Sequence, residues 1–249
     1  MKLNKSQIDI ILPNFNSEKY IDATISSVIS QSFKDWKLHI VDDGSNKKTI
    51  KKLLKFKKDK RINIYFITKN KGPAFCRNYA IKRAKSKYLA FLDSDDIWNK
   101  NKLKIQFTLM QKEKYDFTYT YYKTIGLRKN NVRPNSKYYF SSFIKDTSIA
   151  TSTMMIKRNI SKNVVFINTK YGDDYYYKCK LLKKVHCAVA IKKYLTFYRI
   201  RKNSISSEKL KNLLWLWRIN KNYNKLSYFE NLISIFSIAL NSIRKYGFK

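Results

Sequence analysis

The chain has 249 residues, of which 53 are Lys or Arg and 17 are Asp or Glu, so its formal net charge is +36. Such an excess indicates an anionic partner, such as nucleic acid, nucleotide phosphates or an acidic lipid surface, although a solvated lysine-rich surface accounts for the larger part of it. Only five Gly and three Pro argue against a disordered chain, and the length suits one domain with at most a small appendage.

The cysteines and the N-terminal segment indicate the cellular compartment of the protein. Cys76, Cys179 and Cys187 are odd in number and show no CxxC spacing, so neither a disulfide framework nor a zinc site is indicated. The N-terminal segment has no apolar stretch long enough for a signal peptide before a charge or proline interrupts it. We therefore expect a cytoplasmic protein.

Strands and helices alternate along the first half of the chain. Apolar strands are predicted at residues 9–13, KLHIVDD, INIYFI and KYLAFL. Ser17 is expected to cap a first helix that runs to about Gln31, a basic helix follows from about Lys47, and Pro73 is expected to open a third. This order predicts an α/β fold with a mostly parallel sheet and helices on both faces.

Acidic and polar residues follow the ends of these strands. Because parallel strands end at the same edge of a sheet, we expect residues 13–16, 42–45 and 93–96 to share one crevice. Asp93, Asp95 and Asp96 repel one another, so Mg²⁺ or Mn²⁺ that also holds substrate phosphates is a natural partner. A solvated turn that caps a helix beginning near Asn99 accounts for these acids equally well.

The second half is less regular. Residues 115–139 are strand-like and rich in tyrosine, but their topology cannot be read, and residues 151–158 predict another strand. A helix is predicted from Gly172 to Leu182, with Asp173 and Asp174 at its N-terminus, where negative charge is favourable. Capping accounts for one of these two acids.

Five ordered motifs give the chain a resemblance to the inverting glycosyltransferases of family two, of the bacterial cell-surface polysaccharide type. The motifs are IILPNFNSEKYI, VDDGS, NKGPAFCRNYAI, YLAFLDSDD and GDDYYYKCKLL, followed by LTFYRIRKNSIS. Together they cover roughly residues 7–205, and five in the right order are far more specific than any one. The resemblance implies the Rossmann-like GT-A fold and a nucleotide-sugar donor, most often of the UDP type.

The resemblance also implies roles for individual residues. The nucleotide would be bound by Pro13, Asn14, Phe15, Asn16, Glu18, Asp42, Asp43, Gly72, Arg77, Asp93 and Ser94. Within this set, Asp43 would accept from the edge of a uracil-type base and Asp93 would lie near the ribose. The metal, Mn²⁺ or Mg²⁺, would be bound by Asp95 with Asp93. Asp174 matches the catalytic base, and Asp173 stands beside it.

The chemistry of sugar transfer needs these residue types. Breaking a sugar–diphosphate bond passes through an oxocarbenium-like sugar and leaves negative charge on the phosphate, which a cation stabilises. The acceptor hydroxyl needs a carboxylate that removes its proton, a role worth on the order of 10² to 10⁴ in rate. Considered from the residues alone, Arg77 is as readily a solvated helix residue as a bidentate ligand of the diphosphate.

The chain departs from the family pattern at several positions. It has Asp173-Asp174 where the family usually shows Glu-Asp, and Lys178 near the place of an aromatic residue. Arg201 and Lys202 occupy a stretch where a histidine is common. The QxxRW motif of processive polysaccharide synthases is absent from the sequence, so the addition of a single sugar is implied.

The C-terminal residues differ in pattern, and we divide the chain into a GT-A domain at residues 1–205 and a helical tail at residues 206–249. Two apolar stripes at helical spacing predict amphipathic helices, and they consist of Leu210, Leu213, Leu214 and Trp217, and of Phe229, Leu232, Ile233, Phe236, Leu240 and Ile243. An interfacial helix on an anionic membrane and packing against the domain or a second subunit, which would make a homodimer, are equally compatible with this pattern.

The sequence therefore predicts a metal-dependent transferase that moves a sugar from a nucleotide donor to a glycan or lipid-linked acceptor, peripheral to the cytoplasmic membrane face and active in polysaccharide synthesis such as that of lipopolysaccharide. A sugar nucleotidyltransferase is the alternative within the fold class, but it requires a Gly-rich, Arg-containing loop that ILPNFNS lacks. A basic nucleic-acid-binding protein is the alternative from another class, although no nucleic-acid motif is recognisable, so we expect no nucleic-acid partner.

Overall fold

The structure is a computed structural model that describes residues 6–202 and 209–246. Ten strands form one sheet, and in chain order they are β1 (Ile8–Asn14), β2 (Trp36–Asp42), β3 (Ile62–Phe66), β4 (Tyr88–Phe91), β5 (Ile97–Trp98), β6 (Phe117–Gly126), β7 (Asn131–Val132), β8 (Lys137–Tyr138), β9 (Met155–Lys157) and β10 (Ala188–Ile200). The helices within these ranges are α1 (Ile21–Ile29), α2 (Lys47–Leu54), α3 (Pro73–Arg83), α4 (Lys102–Lys112), α5 (Phe140–Phe143), α6 (Asp173–Leu182), α7 (Lys209–Ile219) and α8 (Tyr228–Tyr246).

Four parallel strands form the first half of the sheet, in the order β3, β2, β1, β4. β1 pairs with both β2 and β4, and β2 pairs with β3. Helices α1, α2 and α3 connect these strands, as parallel pairing requires, since a parallel neighbour is reached only by a crossover. The predicted α/β fold with a mostly parallel sheet is confirmed, and the strand ends that carry the predicted site lie at one edge.

The second half of the sheet is mixed. Beyond β4 the order continues with β9, β6, β10 and β5. β9 runs antiparallel to β4 and β6, whereas β6 and β10 run parallel to each other. β6 is the long strand within the tyrosine-rich residues 115–139, whose partner at β10 could not be read from the sequence.

Helices cover both faces of the sheet. Ile10 and Leu12 of β1 contact a core that includes residues of α1, α2 and α4, whereas Ile11 contacts a core that includes residues of α3, α6, α7 and α8. Successive side chains of a strand point to opposite faces, so a strand covered on both faces must be apolar almost throughout. This explains the continuous apolar runs that predicted the strands.

The expected Ser17 cap is wrong. Helix α1 begins at Ile21 after Tyr20, without a side-chain cap hydrogen bond. Ser17 instead donates its hydroxyl to Asn14 Oδ1, while its carbonyl accepts from the amides of Tyr20 and Ile21 in a preceding turn. The side chain of Asn14 thus competes with the helix terminus for the serine hydroxyl.

Two other boundaries differ from expectation. Only Met155–Lys157 of the predicted strand at 151–158 is extended, because Thr151–Thr153 form a 3₁₀ turn in which Thr153 donates both its amide and its hydroxyl to the carbonyl of Ala150. The helix expected near Asn99 begins at Lys102, after Asn101. The acids at 93–96 therefore do not cap it, and the capping alternative is wrong.

The predicted tail helices are α7 and α8. Leu216, Ile219 and Ile238 join the core cluster that also contains Tyr175 of α6. Gly172, which precedes α6, has φ +76°, and a Cβ at this position would lie 2.9 Å from Cδ1 of Ile219, so glycine permits the close approach of α7. The boundary at 205/206 lies outside the described residues, and the division into two parts stays a prediction.

Helix α8 contacts the protein through Ile238 and two polar residues, and most of its predicted apolar stripe faces outward. Asn231 and Ser234 are buried, where Asn231 donates to the carbonyl of Trp217 and Ser234 donates to that of Ile144. The predicted apolar stripe is exposed instead, at Phe229, Leu232, Ile233, Phe236 and Leu240. Helix α8 thus packs against the domain, but most of the predicted stripe lies outside this contact. Within the described ranges, no helix is both long and apolar enough to cross a membrane.

Candidate active site

The first two loops at the carboxyl edge of the sheet are joined by Asn14 and Asp42. Asn14 Nδ2 donates to Asp42 Oδ1 at 2.6 Å, and the amide of Ser45 donates to Asp42 Oδ2 at 3.1 Å. Both Asn14 and Asp42 are buried. These two predicted nucleotide ligands thus hold the loops after β1 and β2 against each other.

Asp43 fixes a third loop, the one that leads into α3. Its Oδ1 accepts the amide of Lys71 and its Oδ2 accepts the amide of Gly72, both at 2.8 Å. Gly72 has φ +88°, a conformation that favours glycine, and Pro73 opens α3 as predicted. A carboxylate has about four acceptor positions, so these two amides do not use all of those of Asp43.

The loop after β1 also braces the start of α2. Asn16 accepts the amide of Asn46 through Oδ1 at 2.8 Å, and Glu18 accepts the hydroxyl of Thr49 through Oε2 at 3.0 Å. Phe15, which directly precedes Asn16 in this loop, is 46% exposed. An aromatic side chain at the rim of the crevice is available to a flat ligand such as a nucleobase.

Arg77 joins the end of β4 to the start of α6. Its Nη2 donates to Asp93 Oδ1 at 2.7 Å and its Nη1 donates to Asp173 Oδ2 at 2.8 Å. The residue is only 7% exposed, so the alternative of a solvated arginine is wrong. A guanidinium presents several donors in a fixed plane, which suits it to bridge two carboxylates that are far apart in sequence.

The remaining acids of the strand-end motif contact the end of β10. Asp95 Oδ2 lies 2.7 Å from Nε of Arg201, and Nε of Arg199 donates to the carbonyl of Asp95 at 2.8 Å. Asp96 is fully buried and accepts the amide of Arg199 at 2.7 Å. Burial raises the pKa of Asp96 well above its usual value, and the nearby charges of Asp95 and Asp93 raise it further.

The pKa values of the two acids at the start of α6 are shifted in opposite directions. Burial raises the pKa of Asp173 to about 6 against the opposing charge of Arg77. Burial also acts to raise the pKa of Asp174, but the ammonium of Lys178, Arg77 and the Thr151 hydroxyl together outweigh it and hold this pKa at about 2. Asp174 is therefore ionised at any physiological pH, whereas Asp173 exchanges its proton near pH 6.

The donor set suits a divalent cation only in part. Within residues 6–202 and 209–246, no group of three or more His, Cys, Asp and Glu side chains is arranged to hold a metal ion. Nucleotide sites, however, commonly bind Mg²⁺ or Mn²⁺ through one or two carboxylates plus the phosphates of the substrate. Asp95 fits this role, because it is mostly buried and already pairs with a cationic group, Arg201.

The structure brings most of the predicted residues to one edge of the sheet but gives several of them partners that the sequence did not reveal. Ser94 accepts the hydroxyl of Thr24 through its backbone carbonyl, and Pro13 is buried within β1. Thr151 and Lys178, which contact Asp174, were not predicted as site residues. The spacing of four residues between Asp174 and Lys178 on one helix was the available signal for the second of them.

A family model matches most of the chain. The model for glycosyl transferase family 2 matches residues 9–170, more than half of the chain. The chain is a member of glycosyl transferase family 2. The predicted family and enzyme class are thereby confirmed, and the protein is a glycosyltransferase. The match ends just before α6 and does not include the acids at the start of that helix.

Relatives of this family 2 glycosyltransferase match it over nearly its whole length. It is 33% identical to the putative teichuronic acid biosynthesis glycosyltransferase TuaG of Bacillus subtilis, over 97% of the chain and 98% of the relative. It is 34% identical to the UDP-Glc:alpha-D-GlcNAc-diphosphoundecaprenol beta-1,3-glucosyltransferase WfgD of Escherichia coli, over 97% of the chain and 95% of the relative.

Solved structures confirm the GT-A-like fold of this family 2 glycosyltransferase. S. aureus TarS, residues 1–349 in complex with UDP-GlcNAc, matches with a TM-score of 0.75 and 20% identity, over 96% of the chain and 73% of that fragment. The mannosyltransferase PcManGT from Pyrobaculum calidifontis, in complex with GDP-Man and Mn²⁺, matches with a TM-score of 0.71 and 13% identity, over 94% of the chain and 70% of that protein.

Proposed function

We propose that this enzyme transfers a single sugar, with inversion, from a UDP-type donor to a glycan or lipid-linked acceptor in cell-surface polysaccharide synthesis. The bridge from Asp93 through Arg77 to Asp173 is the observation that carries the proposal. It joins the strand-end acids to the acidic pair some eighty residues farther along the chain. The proposed donor-binding edge and the candidate base would thus lie close to each other.

The loops after β1 and β2 would bind the nucleotide. Phe15 would contact the base, and Asp43 would accept from its edge while it holds the loop at Lys71 and Gly72. Asp93 would lie near the ribose, where its contact with Arg77 orients it. Because these loops are tied to one another by hydrogen bonds between buried groups, the nucleotide would enter a preformed site.

Asp95, with Asp93 beside it, would hold Mn²⁺ or Mg²⁺ together with the donor diphosphate. When bound, the cation stabilises the negative charge that develops on the departing nucleoside diphosphate. Asp95 can take this role only as a carboxylate, and burial raises its pKa while Arg201 opposes that rise. The charge of Arg201 thus favours the carboxylate form of Asp95 that a divalent ion would need.

Asp174 would act on the opposite side of the sugar. It removes the proton of the acceptor hydroxyl as the oxygen forms its bond to the anomeric carbon and the bond from that carbon to the diphosphate breaks. The nucleoside diphosphate leaves with the electron pair, and attack from the opposite face inverts the anomeric configuration. Asp173, beside it, would remain in contact with Arg77 and link the acceptor side to Asp93.

The names of the relatives favour one donor and acceptor class. WfgD is named as a UDP-Glc enzyme that acts on a diphosphoundecaprenol-linked sugar, and TuaG is named for teichuronic acid biosynthesis. TarS was crystallised with UDP-GlcNAc. A UDP-hexose donor and a lipid-linked acceptor therefore suit this chain best.

We also propose that the protein works at the cytoplasmic face of an anionic membrane, where a lipid-linked acceptor would reside. Phe229 and Phe236 of α8 are 71% and 67% exposed on the outward apolar stripe. Exposed lysines at 221 and 225 precede this helix. Apolar burial together with roughly 1 kcal/mol for each nearby cation favours an anionic lipid surface over a neutral partner. The competing explanation is that the same stripe forms an interface between two copies of the chain.

The reaction is tested with the purified chain and a panel of UDP-glucose, UDP-N-acetylglucosamine, UDP-galactose and GDP-mannose. We expect one UDP-sugar to be consumed in the presence of Mn²⁺ and a diphosphoundecaprenol-linked sugar, with little consumption in EDTA. NMR of the product would give the anomeric configuration. Turnover in EDTA at the same rate would refute metal dependence, and a product that retains the donor configuration would refute inversion.

A further inference from the structure

Lys178 is a buried lysine that contacts the candidate base, and the proposed reaction gives it no role. The residue is 3% exposed and lies one helical turn after Asp174 on α6. Its ammonium donates to Asp174 Oδ2 at 2.6 Å and to the carbonyl of Ile149 at 2.7 Å. A buried ammonium is costly unless it is paired and hydrogen-bonded, and here it has both kinds of partner.

The hydrogen bonds of Asp174 are unequally divided between its two oxygens. Oδ2 accepts the ammonium of Lys178 and also the hydroxyl of Thr151, at 2.9 Å. Within the part of the chain that the structure describes, Oδ1 accepts only the amide of the adjacent Tyr175, at 2.8 Å. A carboxylate oxygen has two acceptor positions, so Oδ2 is saturated while Oδ1 keeps one of its positions.

The geometry points to Lys178 as a positioning residue that holds Asp174 through Oδ2 and leaves Oδ1 as the oxygen that takes the acceptor proton. This inference rests on the proposed role of Asp174 as the base. Lys178 touches neither donor nor acceptor in this arrangement and acts only through the carboxylate. The carbonyl of Ile149 also accepts from the ammonium, and this second contact holds Lys178 in place beside Asp174.

The lysine also adjusts the basicity of Asp174. Arg77 from α3 and Asp173 on the same helix are the other charged groups near this carboxylate, and Thr151 supplies a neutral hydroxyl. Burial alone raises the pKa of a carboxyl, so the low pKa of Asp174 depends on its cationic neighbours, with Lys178 first among them. The base therefore stays ionised in acid, at the cost of a weaker pull on the acceptor proton.

The test compares Lys178→Met, which keeps the length of the side chain, with Lys180→Met on the same helix. Lys180 donates instead to the carbonyl of Tyr223, away from Asp174. Initial rates are measured against pH with the active donor from the nucleotide-sugar panel and with a diphosphoundecaprenol-linked acceptor. For Lys178→Met we expect kcat to fall by about 10- to 100-fold with an unchanged donor KM, since misplacement of a reacting group has an effect of this order.

We further expect Lys178→Met to lose activity on the acid side at a higher pH than the parent enzyme, because the carboxyl would protonate more readily without the ammonium. Lys180→Met should keep the parent profile. If Lys178→Met does not fold, Lys178→Gln, which can still donate a hydrogen bond but has no charge, must show the shifted acid limb. A kcat within about twofold of the parent and an unmoved acid limb would overturn the inference.

The failure of the proposed function has a different signature. Asp174→Asn with full turnover would show that Asp174 is not the base, whatever Lys178 does. Loss of turnover in Asp174→Asn together with a normal Lys178→Met would leave the base in place and reject the positioning role alone.

Discussion

Asp95 Oδ2 lies 2.7 Å from Nε of Arg201, so the carboxylate proposed to bind the metal has an arginine as its partner. The side chain of Arg201 is 43% exposed, so water screens its charge. Asp95 itself is largely buried. A divalent ion bound to a diphosphate could therefore replace the half-exposed Arg201 as the partner of Asp95.

The first prediction concerns this carboxylate. We expect Asp95→Asn to abolish Mn²⁺-dependent binding of UDP and to leave the fold intact, because an amide is a poor ligand for a hard cation. Calorimetric titration of UDP with and without Mn²⁺ measures it. Asp116→Asn, which removes a half-exposed carboxylate paired with Lys157, is the control and should bind normally. Unchanged affinity and metal dependence in Asp95→Asn would contradict the assignment.

The second prediction separates binding from chemistry. Asp174→Asn should bind UDP as the parent does and lose turnover by on the order of 10² to 10⁴, because it removes an interaction needed only in the transition state. Binding by calorimetry and turnover on the same preparation decide it. If Asp174→Asn were active and Asp173→Asn inactive, the role would belong to Asp173 instead.

The third prediction concerns the bridge of Arg77. Arg77→Met leaves Asp93 and Asp173 as partly buried carboxylates without their shared cation, and we expect a loss of about 3–5 kcal/mol in the free energy of unfolding. Urea denaturation measures this loss. Arg83→Met, on the same helix, removes a more exposed arginine that lies over the ring of Tyr79 and should cost far less. Equal losses in the two variants would argue against the bridge.

The fourth prediction is a pH dependence. Burial, opposed by Arg77, raises the pKa of Asp173 to about 6 from a usual 3.8. The folded state thus binds this proton more tightly than the unfolded state does, so the contribution of Asp173 to stability is complete below about pH 4 and is lost as the pH rises through about 6. Asp174 has the opposite sign, with its contribution lost only as the pH falls toward about 2.

Asp173→Asn removes the titrating group and should flatten the part of the stability curve between about pH 4 and pH 6. Urea midpoints of parent and variant at several pH values in that range measure the effect. Asp116→Asn, whose carboxylate is more exposed, should leave the slope unchanged. An identical slope in Asp173→Asn and the parent would show that the folded-state pKa is not raised.

The fifth prediction concerns the outward stripe of α8. Phe229→Ser with Phe236→Ser removes two exposed rings without touching the buried polar contacts of the helix, so the fold should persist. We expect weaker flotation with phosphatidylglycerol vesicles, most clearly at high salt, where the electrostatic attraction is screened. Leu127→Ser with Val165→Ser, two exposed apolar residues outside the tail, serves as the control.

Two outcomes would contradict the proposal that the stripe of α8 binds a membrane. Equal flotation of the tail variant and the control would refute it directly. Conversion of a dimer to a monomer in sedimentation, with flotation unchanged, would assign the stripe to an interface between two copies of the chain.

Sequence patterns predicted the regular strands and helices of the first half of the chain, but not all of their ends. The apolar runs and the helical periods between them predicted a parallel sheet, and Pro73 marked the start of α3 correctly. Ser17 failed as a cap because a neighbouring amide side chain, Asn14, took its hydroxyl. Residues 151–158 failed as a strand because threonine side chains closed a turn with nearby carbonyls. Such local competition is decided by geometry that propensity does not contain.

The sequence by itself determined which strand ends carry carboxylates, that the tail is amphipathic and that the motifs resemble one family, because each of these depends on residue type and spacing alone. Only the tertiary structure decided that Asp173 meets Asp93 through Arg77 and that Lys178 is buried against Asp174. It also decided that α8 turns its asparagine and serine inward. The contacts of Arg77 join residues that are distant in sequence. The spacing of Asp174 and Lys178 allows a pair on one helix but does not say whether that pair is buried, and a periodic pattern defines the faces of a helix but not which face is covered.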